Sequence, residues 1–255
     1  MIIDVNTAYG PWPFWQHGME SIGALAAHLR AHEIEAALVS PIAAPFSSDL
    51  DPLNEQLFLD CQLHPGLHPV PVLSPALAGW ERRLREALAS DACAIKLHPS
   101  HHLYPLSDRP VRGLAERLEE AGIPLLVTLR MEDIRGQYRG LNMADLPTQA
   151  VLDLHGAHPH LKLVCLNATQ PEILQMAKVS GDNLHFDIAF AETGATLDGL
   201  LLHVAANRLL LGSQTPLLYT KAALLKARGC TAPAEQRLAI CSGNARRLFR
   251  LSGRL

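Results

Sequence analysis

Apolar residues along this chain fall into two alternating rhythms. Short, nearly continuous apolar runs at 2–6, 36–40, 70–74, 93–98, 125–130, 161–167, 184–189 and 208–213 read as strands. Between them, segments 19–32, 53–63, 79–89, 111–120, 148–155, 171–179, 196–205 and 217–227 carry apolar residues three and four apart, as at Leu114, Leu118 and Ala121. That spacing is the stripe of an amphipathic helix. Strands that are apolar throughout, rather than alternating, suit a parallel sheet buried on both faces. Eight such repeats within 255 residues predict a single α/β domain spanning 1–255, a (β/α)8 TIM barrel. The rival, a doubly wound open sheet, would carry Gly-x-Gly-x-x-Gly after an early strand, and the chain has no such turn. Pro110, Pro124, Pro147 and Pro171 fall at the predicted boundaries, where a missing N–H costs least.

Composition narrows the partners. The chain is 48% hydrophobic with a formal net charge of −3, and it has no long basic run. Nucleic acid and anionic membranes therefore have no electrostatic support as partners. Five cysteines (Cys61, Cys93, Cys165, Cys230, Cys241) are scattered without a C-x-x-C pair, which predicts reduced thiols in a cytoplasmic protein. The chain opens directly on an apolar strand without a basic leader, and no apolar run reaches the roughly 18 residues of a membrane span.

In a barrel the strand C-termini form the active face. Read in order, they present Asn6, Ser40, Ser74, Lys96 with His98, Thr128 with Arg130, Asn167, Asp187, and Ser213 with Gln214. Chargeable groups on apolar strands are costly to bury without a partner or a function. The densest cluster runs from Thr128 to position 139. Arg130 and Arg135 are placed to grip a carboxylate or phosphate, and Glu132 or Asp133 to act as a general base. The competing reading is that the two acids simply neutralise the two arginines in a salt-bridged loop. His98, His101 and His102 lie within five residues and offer either a relocated metal site or a hydrogen-bonding group beside solvated loop residues. The run Tyr9-Gly10-Pro11-Trp12-Pro13-Phe14-Trp15 predicts a stiff wall or lid at the mouth, or packing against a loop or a second subunit in a homodimer. Asp187 is read as a hydrogen-bonding group of the mouth, and Asp4 as structural, below it. No Gly-x-Ser-x-Gly nucleophile elbow is present.

Several segments carry a family resemblance in chain order. Ala94-Ile95-Lys96-Leu97-His98-Pro99 with Tyr104-Pro105-Leu106 resembles the fourth-strand segment of amidohydrolase family 2 proteins. The runs 123–128, 161–167 and 183–187 resemble the fifth, sixth and seventh strands, and Gly243-Asn244-Ala245-Arg246-Arg247-Leu248-Phe249 resembles the start of the C-terminal helix. The resemblance implies an amidohydrolase-like barrel that hydrolyses C–N or C–O bonds or decarboxylates small polar substrates, usually with zinc. It also places Asn6, Ala8, Thr128, Asn167 and Gln214 where the family binds metal or activates water. None is a good zinc ligand, so no metal and no cofactor is expected. Dicarboxylate lactonases of this type work without metal.

The expected function is therefore a metal-independent hydrolase or lyase acting on a small anionic substrate. Asn6, Lys96, Thr128, Arg130, Arg135, Asn167, Asp187 and Gln214 would bind it, and His98 with Glu132 or Asp133 would move protons. A catalytically silent barrel that binds a ligand or partner protein is the second expectation. A metal hydrolase with relocated ligands is the third.

Overall fold

The computed structural model describes residues 1–90, 92–133, 135–138, 140–141 and 143–251. Strands and helices alternate from one end to the other. β1 (Ile3–Tyr9), α1 (Ile22–Ala31), β2 (Ala36–Pro41), α2 (Asp51–Gln62), β3 (Leu67–Pro69) and α3 (Trp80–Ala89) make up the first part. β4 (Ile95–Leu97), α4 (Arg109–Ala121), β5 (Leu125–Thr128), α5 (Thr148–Ala157), β6 (Leu163–Leu166) and α6 (Gln170–Ala177) follow. β7 (Leu184–Asp187), α7 (Thr196–Leu201), β8 (Leu209–Leu210), α8 (Thr220–Arg228), α9 (Ala234–Leu238) and α10 (Asn244–Leu248) complete the chain. No helix among the described residues is long and apolar enough to cross a membrane.

All pairings within the two sheets are parallel, in the orders β1-β2-β3 and β4-β5-β6-β7-β8. Single bridges join the sheets at both seams, Val72 to Lys96 and Thr7 to Thr215. The arrangement is a (β/α)8 barrel, as the repeat pattern predicts. Three strands depart from their predicted positions, the first by running on to Tyr9 beyond the predicted 2–6. The third runs over Leu67–Pro69 rather than 70–74, because Pro69 and Pro71 have no N–H to sustain a ladder across that segment. The eighth is confined to Leu209–Leu210 within the predicted 208–213, because the next amides bond elsewhere: Leu211 N to Ile240 O and Ser213 N to Asp4 Oδ1.

Local sequence explains the element ends. Pro110 enters the first turn of α4 and Gly122 closes it in the left-handed region at φ +65°. Val111, Leu114, Ala115 and Leu118 form the buried stripe of that helix. Inside the barrel, Ile3, Val5, Leu38, Val70, Leu126, Val164, Leu166 and Leu210 pack with Ala245, Leu248, Phe249 and Leu251. The C-terminal segment thus seals the end opposite the mouth. The five cysteines are free thiols.

One irregularity positions the site. The β1–β2 register shifts between Asp4 and Thr7. Val5 belongs to the interior apolar cluster, yet its neighbour Asn6 also reaches across the interior to Lys96. A regular strand would send consecutive side chains to opposite faces. The bulge turns Asn6 and, two residues on, Ala8 toward the mouth.

Candidate active site

At the base of the mouth a polar network spans the barrel. Lys96 Nζ donates to Asn6 Oδ1 at 3.0 Å. Asn6 Nδ2 donates to Asp187 Oδ2 at 2.8 Å and to Asn167 Oδ1 at 2.8 Å. The Asn167 amide donates to Asp187 Oδ1 at 2.7 Å, and its Nδ2 to Arg130 O at 2.6 Å. Asp4 Oδ1 accepts from the amides of Asn6, at 3.1 Å, and Ser213, at 3.0 Å. Asp4, Asn6, Lys96, Asn167 and Asp187 are all buried.

Burial sets the electrostatics. Desolvation pulls the Lys96 ammonium down to about 8, against the pull of Asp187 and Asp4 that favours its charge. It also pushes the Asp4 carboxyl up to about 7 and raises Asp187, although hydrogen bonds from Asn167 and Asn6 and the Lys96 charge oppose the latter rise. His98, two residues beyond Lys96, is held well below the ordinary histidine range by burial and by Lys96, His101 and His102. Both effects favour the neutral imidazole.

Three buried polar atoms stand without hydrogen-bond partners at consecutive strand ends: Ser74 Oγ after β3, His98 Nδ1 after β4 and Thr128 Oγ1 on β5. Unsatisfied buried groups of this kind cost roughly 1–3 kcal/mol each, a cost that a functional role or an ordered water or ion accounts for.

Around this floor the mouth is lined by aromatic side chains. Trp12 meets Phe14 at 5.6 Å and Phe46 at 5.3 Å edge to face, and Phe14 stacks on Tyr138 at 5.1 Å. Trp12, Ile42 and Met131 form a buried apolar cluster against which Ala8, Phe14 and Leu217 pack. Gln214, at φ +58°, donates from Nε2 to Met131 O at 3.0 Å. The segment from Tyr9 to Trp15 therefore packs against residues that follow β2, β5 and β8, while the polar atoms at the ends of β3, β4 and β5 stay unpartnered.

The charged cluster after β5 separates into two groups. Arg130 is nearly buried and holds Glu172 in a bidentate pair, at 2.8 and 2.5 Å, with Asp145 at 2.8 Å on its Nε. Its Nη1 also donates to Asn167 O at 2.6 Å. Arg135 projects outward with 81% of its side chain exposed and pairs with Asp133 at 2.8 and 2.6 Å. That pairing holds the Asp133 carboxyl down at about 2. Glu132 is half-buried and accepts from Trp15, and desolvation raises its carboxyl. Positions 134 and 139 of the cluster lie outside the described residues.

Four participants lie outside the residues that the sequence singles out. Glu172 carries a readable signal, since Thr169-Gln170-Pro171-Glu172 is a capping box whose acid also binds Arg130. Gly212 is required sterically: a Cβ there would lie 2.6 Å from Asp187 Oδ2 and 3.1 Å from Asn6 Cβ. Met131 acts through its backbone carbonyl and Phe46 through ring contacts, and neither has a local sequence signature.

The amidohydrolase family model matches residues 54–251. The chain belongs to the amidohydrolase family. A 2,6-dihydroxybenzoate decarboxylase from Rhizobium superposes with a TM-score of 0.78 at 17% identity, covering 99% of each chain. A dihydroxybenzoic acid decarboxylase from Polaromonas, solved with manganese and 2-nitroresorcinol, gives 0.78 at 14% identity over 98% of this chain and 97% of that one. A TIM-barrel protein from Bordetella bronchiseptica gives 0.74 at 18% identity over 99% of each chain. Identities this low establish the fold. No curated protein matches the sequence.

Membership raises the question of a metal, and the donor set present does not fit one. Asn6 is fully engaged by Lys96, Asp187 and Asn167, with an ammonium on the oxygen a cation would need. Ala8 packs against the Trp12 cluster, and the Gln214 amide is held by Met131 O. Among the described residues, no three of His, Cys, Asp and Glu gather as a metal site would require. His102 Nε2 is engaged by Ala44 O at 3.0 Å, and the His98 ring stands nearly perpendicular to those of His101 and His102, with centroids 6.3 Å apart.

Proposed function

We propose that this amidohydrolase-fold protein binds a small anionic substrate over Lys96 and hydrolyses or decarboxylates it without a metal. The observation that carries the reading is the Lys96 ammonium fixed on Asn6, with Ser74, His98 and Thr128, whose polar atoms lack partners, at the ends of its own strand and the two neighbouring ones. A buried cation flanked by neutral donors complements an oxyanion, and it concentrates charge where a divalent ion would otherwise act. Lys96, Thr128 and Ser74 would hold the anion, with Asn6, Asn167 and Asp187 fixing the ammonium. His98 would serve as a neutral donor or acceptor. Glu132, with its raised proton affinity, suits proton transfer better than Asp133, which Arg135 keeps ionised. A similar barrel, a 2,6-dihydroxybenzoate decarboxylase, has been solved with 2,6-dihydroxybenzoate, an anion of the size envisaged.

A second reading has its own support. The Trp12–Ile42–Met131 cluster over Ala8 and Gln214 favours a catalytically silent barrel that binds a ligand or partner. Calorimetry with a panel of small carboxylates, followed by turnover assays in chelator, separates the two. Saturable binding with turnover, both abolished in Lys96→Met, supports the enzyme. Binding without turnover selects the silent barrel. Activity that appears only on adding zinc or manganese overturns metal independence.

A further inference from the structure

A line of hydroxyls connects the protein surface to the buried Asp4. His28 Nε2 lies 2.7 Å from Thr220 Oγ1, Thr220 Oγ1 lies 2.6 Å from Thr215 Oγ1, and Thr215 Oγ1 lies 2.6 Å from Ser213 Oγ. Ser213 Oγ accepts the Thr215 amide at 3.1 Å, which leaves its own hydroxyl proton to turn either to Thr215 or to Asp4. The Ser213 amide donates to Asp4 Oδ1 at 3.0 Å, which sets the Ser213 hydroxyl beside that carboxyl, and Asp4 Oδ2 is a buried oxygen with no hydrogen-bond partner. Thr215, Thr220 and Ser213 are buried. At the outer end, His28 is half-buried and stacks with His32 at 4.3 Å between ring centroids. Both rings line a surface groove of about 440 Å³ with Trp15, His17, Tyr219 and Lys221.

We infer that His28, Thr220, Thr215 and Ser213 form a proton path between that surface groove and Asp4 at the base of the barrel mouth. Every link is a group that both donates and accepts. When a proton arrives at His28 Nδ1, its Nε2 proton passes to Thr220. Thr220 hands its own to Thr215, Thr215 to Ser213, and Ser213 to the Asp4 carboxylate. The imidazole ends neutral with its remaining proton on Nδ1, the three hydroxyls keep their composition with reversed orientation, and Asp4 ends as the acid. Burial places the proton preferentially on Asp4, whose carboxyl is pushed up to about 7, whereas burial and His32 lower His28. The charged groups that face Asp4 are Asp187 and Lys96, and the titratable group that faces His28 is His32. A reaction over Lys96 consumes or releases protons in a mouth capped by aromatic side chains, and a side path to bulk water meets that need. Only this use of the path rests on the proposed function; the path is argued from the hydrogen bonds that join His28 to Ser213 and from the unpartnered Asp4 Oδ2 beside them.

Infrared spectroscopy after a rapid pH jump, on ligand-free protein, tests it without turnover. The protonated-carboxyl band that disappears in Asp4→Asn reports Asp4. Its rise should slow at least tenfold in Thr215→Val and in Thr220→Val, and Thr215→Ser should restore the wild-type rate. Thermal unfolding of each variant confirms a folded chain, and two independent cuts guard against one that fails to fold. Equal rates in the wild type and both valine variants would show that protons reach Asp4 by another route and overturn the path. Because no substrate is present, that outcome leaves the reading of Lys96 untouched.

Discussion

Lys96 on β4 donates from Nζ to Asn6 Oδ1 on β1 across 3.0 Å, and Asn6 in turn donates to Asp187 on β7. A cation is thereby tied to a carboxylate through a neutral amide, with all three side chains buried. The amide keeps the ammonium in place without a direct ion pair.

Removing that cation has two consequences. Lys96→Met leaves Asp187 and Asn6 without their positive partner, and loss of one member of a buried charge cluster typically costs about 3–5 kcal/mol. The chemical denaturation midpoint should fall accordingly, and carboxylate-induced thermal stabilisation should vanish. An unchanged midpoint would mean that Lys96 is not charged in the native protein.

pH dependence follows with opposite signs for two groups. Lys96 is pulled down to about 8, so anion affinity should hold below that pH and decline above it, as the ammonium is lost. Its depressed native value also means that the Lys96 contribution to stability falls as pH drops from about 10.4 through 8. Asp4 is raised to about 7, so its contribution is full below about 4 and is lost as pH rises through 7. Asp4→Asn should flatten the acid-side slope in urea titrations at a series of pH values. A slope that survives the substitution assigns it to another group.

Gly212 is a steric requirement of the network. In Gly212→Ala the new Cβ would meet Asp187 Oδ2 at 2.6 Å and Asp187 Cβ at 2.8 Å. Overpacking of this kind costs about 1–3 kcal/mol. Thermal unfolding should report that loss, and calorimetry should report weaker anion binding because Asp187 and Asn6 are displaced together. Wild-type values in both measurements would refute the packing argument.

The two arginines after β5 should behave differently. Arg130→Ala strips Glu172 of a bidentate partner and should cost about 1.5–3 kcal/mol, the range for hydrogen bonds to charged groups. Arg135→Ala breaks a solvent-exposed pair with Asp133 and should stay within about 0.5 kcal/mol of wild type. Equal effects in denaturation experiments would contradict the burial difference between them.

The alternation of apolar runs with three- and four-residue stripes was enough to read the barrel, because periodicity is a local property of the backbone and its solvent. Pro110 and Pro171 marked helix starts for the same local reason. The strand ends were legible too, and they put Asn6, Lys96, His98, Thr128, Asn167, Asp187 and Gln214 on one face. What the sequence could not convey was partnership. Nothing local distinguishes Arg130, enclosed by Glu172 and Asp145, from Arg135, five residues on and in solvent. Nor does sequence announce that Lys96 meets a residue 90 positions away, or that Ala8 makes room for Trp12 and Met131. Those pairings depend on which strand ends barrel closure brings together and on the bulge in β1 that turns Asn6 inward. The chain alone decided that the barrel would form and which polar residues would ring its mouth. Tertiary structure decided which of them face one another, because hydrogen bonds and burial act through space, whatever the distance along the chain.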